Sequence, residues 1–322
     1  MDMMIQRRLN PRNYLLELVL LALVIVFAIT APNFFTPDNM LNILRNIAFR
    51  GIVALGMTMV IISGEIDLSV GSGIAFYGVL TALVTKLMLA AGVNEYLAVA
   101  AAIAAALTAG AVVGISVATI ITKFSVPSFI TTLAMMLILR GVALIMSGGF
   151  PIITYPGWFS FFGSGYVGAV PFPVIIFTVI LLIMFYIMHH TPFGRSIYAV
   201  GSNKESARLS GINVFGVKRT IFAVTSFFTA LAGIMISSQI NSGSPQSGQQ
   251  WEIDVIASVI IGGAALSGGK GTIKGTLVGC IFLGVLLNGL TLLNVDEFWR
   301  HVVRGVLIFI AVLLNALIQK RV

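Results

Sequence analysis

The sequence has little charge and only one cysteine. Only 9% of its 322 residues are charged, against roughly a quarter in a soluble domain. With 58% apolar residues and a mean hydropathy of +1.04, it has more apolar side chains than a soluble fold of this size can bury. A soluble enzyme, a disordered tail and a disulfide-built secreted domain are therefore excluded. Cys280 lies in an apolar run and has no second cysteine for a disulfide or a zinc site.

Long apolar runs, interrupted by Gly, Pro and charge, make up most of the chain. A spanning helix needs about 20 such residues, whereas an outer-membrane barrel shows alternating segments of about ten. We therefore predict an all-α, polytopic transmembrane bundle of about ten spans, forming a single domain over residues 1–322. The predicted spans are 13–31, 43–63, 67–91, 96–121, 126–147, 170–189, 217–240, 252–266, 272–294 and 300–318.

The segment 252–266 is too short to cross a bilayer, so we expect a broken or re-entrant helix there. It opens with a Glu-Ile-Asp triplet at 252–254, and the same triplet at 65–67 precedes another glycine-containing apolar run. We expect both triplets on the outer side or at membrane depth. Since duplicated halves are common in transporters, the triplets predict a two-half pseudo-repeat, with a chance match of three residues as the alternative.

The placement of Lys and Arg predicts the orientation of the chain. The first apolar run is longer than a signal-peptide core, which indicates an uncleaved anchor. With the N-terminus inside, most of the 19 basic residues fall on inner segments, as the positive-inside rule requires. We predict N-in and C-in, an outer loop at about 148–169 and an inner loop at about 190–216. The net charge of +8 is then explained by inner loops rather than by nucleic-acid binding.

The inner loop contains signals for a short helix. Asn203 is a favourable N-cap, Glu205 and Arg208 complement the helix dipole, and Gly211 suits a left-handed end. We predict a two-turn helix with a face that small Ala207 leaves smooth, suited to docking into a cleft of a partner protein. An ordinary polar connector is the alternative.

This loop resembles the cytoplasmic coupling loop of bacterial ABC-importer permeases of the ribose/monosaccharide type. In that family a Gly-Arg stretch leads to an Ala-(Ile/Val)-Gly-x-Asn-x-x-Ala-Ala-x-x-x-Gly-Ile run, which here extends over 199–212. Ser202 and Ser206 stand where Gly and Ala are commoner, and both changes are small for small. The resemblance implies contact with an ABC ATPase through Gly194, Arg195, Ala199, Gly201, Asn203, Glu205, Ala207, Arg208, Gly211 and Ile212.

Two further segments look like the same family. Residues 63–72 are similar to its Gly-Gly-Ile-Asp-Leu-Ser-Val-Gly segment, with Glu65 in place of a frequent Gly, and residues 261–279 contain its Gly-Gly-x-Gly-Thr-x-x-Gly run. The latter is not a phosphate-binding loop, because Lys270 is followed by Gly instead of Ser or Thr. We expect close packing and a tight inner turn at Gly71, Gly268, Gly269, Gly271 and Gly275.

A few polar residues lie in or beside the predicted spans, where carboxylates are costly and usually functional. Asp67 and Ser69 either satisfy freed backbone groups or face the solute, and Glu65 is solvated if it lies outside. The residues that we expect along a translocation pathway are Glu65, Asp67, Ser69, Ser72, Gln239, Asn241 and Asn288. For Asn288, a hydrogen bond between helices is the alternative.

The resemblance implies a transport subunit of the bacterial cytoplasmic (inner) membrane with no catalytic residue, cofactor or metal. Such permeases act in pairs, either two copies or two related chains, within the lipid bilayer. Two ABC ATPases bind the coupling helices, and a periplasmic sugar-binding protein delivers the solute. ATP hydrolysis then drives alternating access. A nucleoside or branched-chain amino-acid permease is a related possibility.

Two other classes of protein remain as alternatives. A proton- or sodium-coupled carrier working alone would use Glu65, Asp67, Glu252 and Asp254 as ion sites, but it has no need of a docking helix. A lipid-modifying membrane enzyme would need its histidines at one depth. The predicted orientation puts adjacent histidines at 189–190 inside and the third histidine outside, which argues against the enzyme.

Overall fold

A computed structural model describes residues 15–319, and about three quarters of the chain is helical. Its α-helices are α1 (Leu15–Thr30), α2 (Pro37–Ile62), α3 (Val70–Ala90), α4 (Glu95–Lys123), α5 (Ser128–Ser147), α6 (Phe161–Ser164), α7 (Phe172–His190), α8 (Pro192–Ser202), α9 (Lys204–Leu209), α10 (Val214–Gln239), α11 (Trp251–Ile261), α12 (Ile273–Leu292) and α13 (Glu297–Gln319). A 3₁₀ turn, Gly157–Ser160, and an antiparallel hairpin, β1 (Tyr166–Val167) and β2 (Val170–Pro171), lie between α5 and α7.

Seven of the described helices are long and apolar enough to cross a membrane, namely α2, α3, α4, α5, α7, α10 and α12. The all-α membrane bundle is therefore confirmed, whereas ten spans and the N-in, C-in orientation stay predictions. The predicted first span begins outside the described residues, and α1 has 16 residues. Helix α13 coincides with the predicted tenth span. Below, the inner end of the bundle is the end that carries α8 and α9.

Helices α2 and α10 form the centre of the bundle. Each has 26 residues and is largely buried. Helix α10 packs most extensively on α4, because Gly110 and Gly114, four residues apart, let the two backbones approach closely. A Cβ atom on Gly114 would overlap the carbonyl oxygen of Phe222. In contrast, only about a quarter of α5 and α7 is buried, as expected of helices that face lipid or another chain.

The predicted short span is helix α11, whose 11 residues are too few to cross a bilayer. A non-helical stretch, 240–250, leads to it from the outer end of α10. Its Gly243 exchanges two backbone hydrogen bonds of 2.9 Å with Ile152. Further along, Arg140 of α5 donates to the carbonyl oxygens of Pro245 and, at 3.1 Å, Ser247. Such partners are needed because irregular backbone at membrane depth must be buried or line a cavity.

The two halves of the bundle share one feature. Helices α2 and α10 have equal length, and each is followed by an irregular stretch, 63–69 or 240–250, that leads into another helix. One Glu-Ile-Asp triplet precedes α3 and the other lies in the first turn of α11. The two-half repeat stays a prediction, with this correspondence in its favour.

Candidate functional site

The inner loop holds two short helices, although its sequence pattern predicts one. Helix α8 begins at Pro192, and the Oγ1 of Thr191 accepts a hydrogen bond from the backbone N of Gly194 at 3.1 Å. Proline is favourable at the first position of a helix, where no N–H is needed. The Thr-Pro pair was therefore a start signal, and not only the end of the preceding span.

Helix α9 has the predicted caps. The Oδ1 of Asn203 accepts from the backbone N of Ser206 at 2.8 Å, and Gly211 has a φ of +82°. Arg208 donates to both carboxylate oxygens of Glu205, at 3.1 and 2.6 Å. These bonds lower the pKa of the Glu205 carboxyl, so that it stays ionised on this exposed surface.

The face of α9 that points away from the bundle, here called its outward face, differs from the one that the sequence suggests. Ala207 is only 4% exposed and packs into the core. A helix turns by about 100° per residue, so Glu205 and Leu209 point nearly opposite to Ala207. Leu209 is 73% exposed. Leu209 was not among the predicted coupling residues, although an apolar residue beside the charged pair is a signal for a docking surface.

Three segments that are distant in sequence meet behind these helices. The backbone N of Gly269 donates to the carbonyl oxygen of Ile62 at 2.8 Å. A Cβ atom on Gly201 would overlap that same carbonyl oxygen. The hydroxyl of Tyr198 donates to the carbonyl oxygen of Gly271 at 2.9 Å. The end of α8, the end of α2 and the turn at 268–271 therefore touch backbone to backbone.

The other predicted structural glycines also lie where backbones approach closely. Gly268 has a φ of +84° and leaves no room for a side chain beside the carbonyl oxygen of Gly201. A Cβ atom on Gly275 would overlap the carbonyl oxygen of Gly262. A Cβ atom on Gly71 would overlap the carbonyl oxygen of Gly248 and the carboxylate of Glu252. A side chain at any of these positions would push two segments apart.

A buried ion pair lies beside this junction. Lys218, in the second turn of α10, contacts the carboxylate of Glu65 in the stretch between α2 and α3. Their side chains are only 6% and 13% exposed. Glu65 thus lies near the inner end of the bundle and is paired rather than solvated. A lysine that interrupts the first turns of an apolar helix was a signal for such a partner.

Three of the predicted pathway residues are buried within the chain, namely Asp67, Ser69 and Ser72. One carboxylate oxygen of Asp67 accepts from the backbone N of Ser69 at 2.8 Å and from its hydroxyl at 2.6 Å. These bonds turn the backbone into α3. The geometry therefore favours the backbone role of Asp67 over contact with the solute.

The remaining predicted pathway residues lie near the outer end but do not form one site. Gln239 is half-buried at the end of α10, and Asn241 is exposed. Asn288 exchanges side-chain hydrogen bonds of 3.1 and 2.8 Å with Asn39, which matches the alternative of a bond between helices. Asn288 also lines a cavity between α2, α12 and α13.

A different group of polar residues is exposed on the surface of the chain at membrane depth, between the two ends of the bundle. Gln246, Gln249 and Gln250 are exposed in the stretch that leads into α11. The same stretch is held by Arg140, which lies about 18 Å along α5 from the inner end of that helix. Polar side chains at this depth usually line a water-filled path. The signal in the sequence is the polar run at 241–250 between two apolar segments, which was not among the predicted pathway residues.

The chain matches a protein family described as branched-chain amino acid transport system / permease component, over residues 39–312. It belongs to this family of permeases. It is 41% identical over 317 residues to the ribose import permease protein RbsC of Escherichia coli (strain K12), covering 96% of each chain. RbsC of Bacillus subtilis (strain 168) is 43% identical over 299 residues, 92% of this chain and 90% of that one. The L-arabinose ABC transporter permease protein AraH of Azospirillum brasilense is 33% identical over 298 residues, 92% and 86%.

The resemblance to sugar ABC permeases is thereby confirmed. The chain is a permease subunit of the ABC importer class, and so a transport protein rather than an enzyme. It is a multi-pass protein of the bacterial inner membrane, in agreement with its seven membrane-capable helices.

Proposed function

We propose that this chain imports a monosaccharide or a similar small hydroxylated solute, by alternating access that a separate ABC ATPase drives. The observation that carries the proposal is the capped helix α9, which is exposed at the inner surface while α8 beside it rests on the backbone of α2. Relatives named for ribose, L-arabinose and xylose support a sugar as the solute.

The outward face of α9 suits docking into an ATPase. Leu209 projects as an exposed apolar side chain, and the pair of Glu205 and Arg208 lies beside it. Burying a leucine in a cleft of the partner contributes about 1.5–3 kcal/mol. The exposed ion pair contributes little binding energy by itself. We therefore assign affinity for the ATPase to Leu209 and orientation of the docked helix to the ion pair.

Motion of α9 has a short, contiguous route into the bundle. Helix α8 presses on the end of α2 at Ile62, and Lys218 holds Glu65 in the following stretch. That stretch leads to Gly71, which packs on Glu252 at the beginning of α11. These contacts are closely packed, so in this proposal a displacement of the inner helices is passed to the stretch that carries the exposed glutamines.

A second permease copy completes the pathway in this proposal. The exposed stretch around Gln249 and Gln250 is irregular backbone at membrane depth, which lipid cannot accommodate. Another protein surface must therefore cover it, leaving a water-filled path between the two. A second copy of this chain would bring an identical polar stretch to the same axis. A sugar-binding protein would then deliver the solute at the outer end.

The ion-coupled carrier has less support. Glu65 is paired with Lys218, and Asp254 lies 3.6 Å from the Nε of Arg50 and 3.0 Å from the Nε of Arg304. Carboxylates neutralised in this way are poor sites for a transported cation, since an ion would have to displace the arginine or lysine paired with them.

Reconstitution in proteoliposomes tests the proposal. The purified chain is combined with its ATPase and its binding protein, and uptake of labelled D-ribose, L-arabinose and D-xylose is measured with an uncoupler present. We expect uptake of a pentose that requires ATP and both partners and persists with the uncoupler. Uptake by the chain alone that collapses with the uncoupler would establish the carrier instead.

A further inference from the structure

Three helices line a polar well at the outer end of the bundle. Helix α2 contributes Asn42, Asn46 and Arg50, each four residues after the last and so on one face of the helix. Helices α12 and α13 contribute Thr291 and Arg300 among others. The cavity is half open and has a volume of about 320 Å³, within the range of small-molecule sites.

The well reaches far below the outer surface. Asn42 is the sixth and Arg50 the fourteenth residue of α2 counted from its outer end, so Arg50 lies about 20 Å down that helix. The floor is held rigidly, because Asp254 pairs with both Arg50 and Arg304. The guanidinium of Arg50 also stacks over the ring of Trp251, 4.5 Å from its centroid. Trp251 is the first residue of α11, so the floor adjoins the proposed pathway.

The walls offer both donors and acceptors of hydrogen bonds. Arg300 donates to the hydroxyl of Thr291 at 2.9 Å, but its buried Nε has no acceptor among the described residues. A buried donor without an acceptor is costly, which indicates that an oxygen-bearing ligand or water satisfies it. Glu297 and the amide oxygen of Asn46 supply acceptors on the same walls. A sugar hydroxyl can serve both kinds of group, because it donates and accepts at once.

We propose that this well is a binding site for a monosaccharide-sized polyol within each permease chain. The inference rests on the proposed function and names a place for the solute inside one chain, apart from the face that meets a second copy. The solute enters from the outer end, lies against the amides of α2 and contacts the guanidinium of Arg300. The paired guanidinium groups of Arg50 and Arg304 at the floor stop it there.

The single buried cysteine makes a labelling test possible. In a Cys280→Ser background, Leu287→Cys places a thiol in the α12 wall of the well, and Thr291→Cys places one a turn higher; both leave the amides of α2 in place. The matched control is Ala91→Cys, an exposed position between α3 and α4 at the same outer end. Right-side-out vesicles without binding protein are treated with a membrane-impermeant thiol reagent, with and without D-ribose, L-arabinose or D-xylose.

We expect labelling at all three positions, and protection by at least one pentose at Leu287→Cys and Thr291→Cys only. At a sugar concentration ten times its Kd about a tenth of the sites stay empty, so labelling should slow about tenfold. Failure to label either wall position, or labelling that no pentose slows, would overturn the proposal. If the same variants still import the pentose with ATP and binding protein, the proposed function survives that result.

Discussion

The buried pair of Lys218 and Glu65 gives the most quantitative prediction. Both side chains are nearly inaccessible, at 6% and 13% exposure, so neither charge can turn to water when its partner is removed. We expect Glu65→Gln or Lys218→Met alone to lower the free energy of unfolding by about 3–5 kcal/mol, the usual cost of leaving one buried charge unpaired. The double variant, which leaves no charge, should recover most of this loss.

The assay is a double-mutant cycle, with unfolding followed by tryptophan fluorescence in mixed micelles. If the double variant recovers most of the lost stability, the two sites interact by more than about 2 kcal/mol. The effects of two independent sites would instead add to within about 0.5 kcal/mol. As the matched control, Lys86→Met removes an exposed lysine and should change stability by less than about 0.5 kcal/mol. Single variants that cost under about 1 kcal/mol, as at a surface ion pair, would refute the reasoning.

Three further predictions concern backbone contacts. Gly201→Ala should abolish ATP-driven uptake and lower the free energy of unfolding by about 1–3 kcal/mol, because its methyl group overpacks against Ile62. Gly141→Ala has open space around it, so it should keep uptake and raise the free energy of unfolding by up to about 1 kcal/mol. Equal uptake by the two variants would count against the junction. Asn203→Ala removes the cap of α9 and should speed amide hydrogen exchange over 204–209, in line with a loss of about 1 kcal/mol; unchanged exchange would show that the cap is dispensable. Arg140→Leu leaves two carbonyl groups of 245–247 without their donor and should cost about 1–3 kcal/mol for each buried group, measured in mixed micelles; full stability would mean that water replaces the guanidinium.

Local signals in the sequence predicted the inner helix well. The caps of α9 depend on residues within a few positions of one another, so Asn203 and Gly211 identified its two ends without knowledge of the fold. The same kind of signal at Thr191 marks the beginning of α8. That beginning was not predicted, because a proline at this place also marks the end of the preceding helix.

The contacts that join distant segments were beyond the reach of sequence patterns. Gly269 and Gly201 both meet the carbonyl oxygen of Ile62, although nothing near any of them in sequence indicates the others. The partner of Glu65 lies 153 positions away at Lys218. The glycines could be recognised as close-packing residues, but their partners follow only from the three-dimensional arrangement.

Pathway residues were the hardest to predict. A polar residue in an apolar run indicates that a hydrogen-bond partner is present, but it does not indicate which face of the helix the residue occupies. Asp67 therefore drew attention, although it bonds to Ser69 within the chain. The exposed Gln249 and Gln250 were passed over because a polar run between spans resembles an ordinary loop. Their depth depends on how 240–250 folds back between the helices, which is a tertiary property.

Retention of an ABC ATPase by the permease is the most direct test of the central claim. The chain is purified from gently solubilised native membranes, and the proteins that accompany it are identified by mass spectrometry. Leu209→Asp puts a charge on the outward face of α9, whereas Ser210→Asp puts the same charge at the end of that helix, on the side nearer buried Ala207. We expect the wild type and Ser210→Asp to retain an ABC ATPase and Leu209→Asp to lose it. Absence of an ATPase from the intact wild-type protein, or its full retention by Leu209→Asp, would contradict the account.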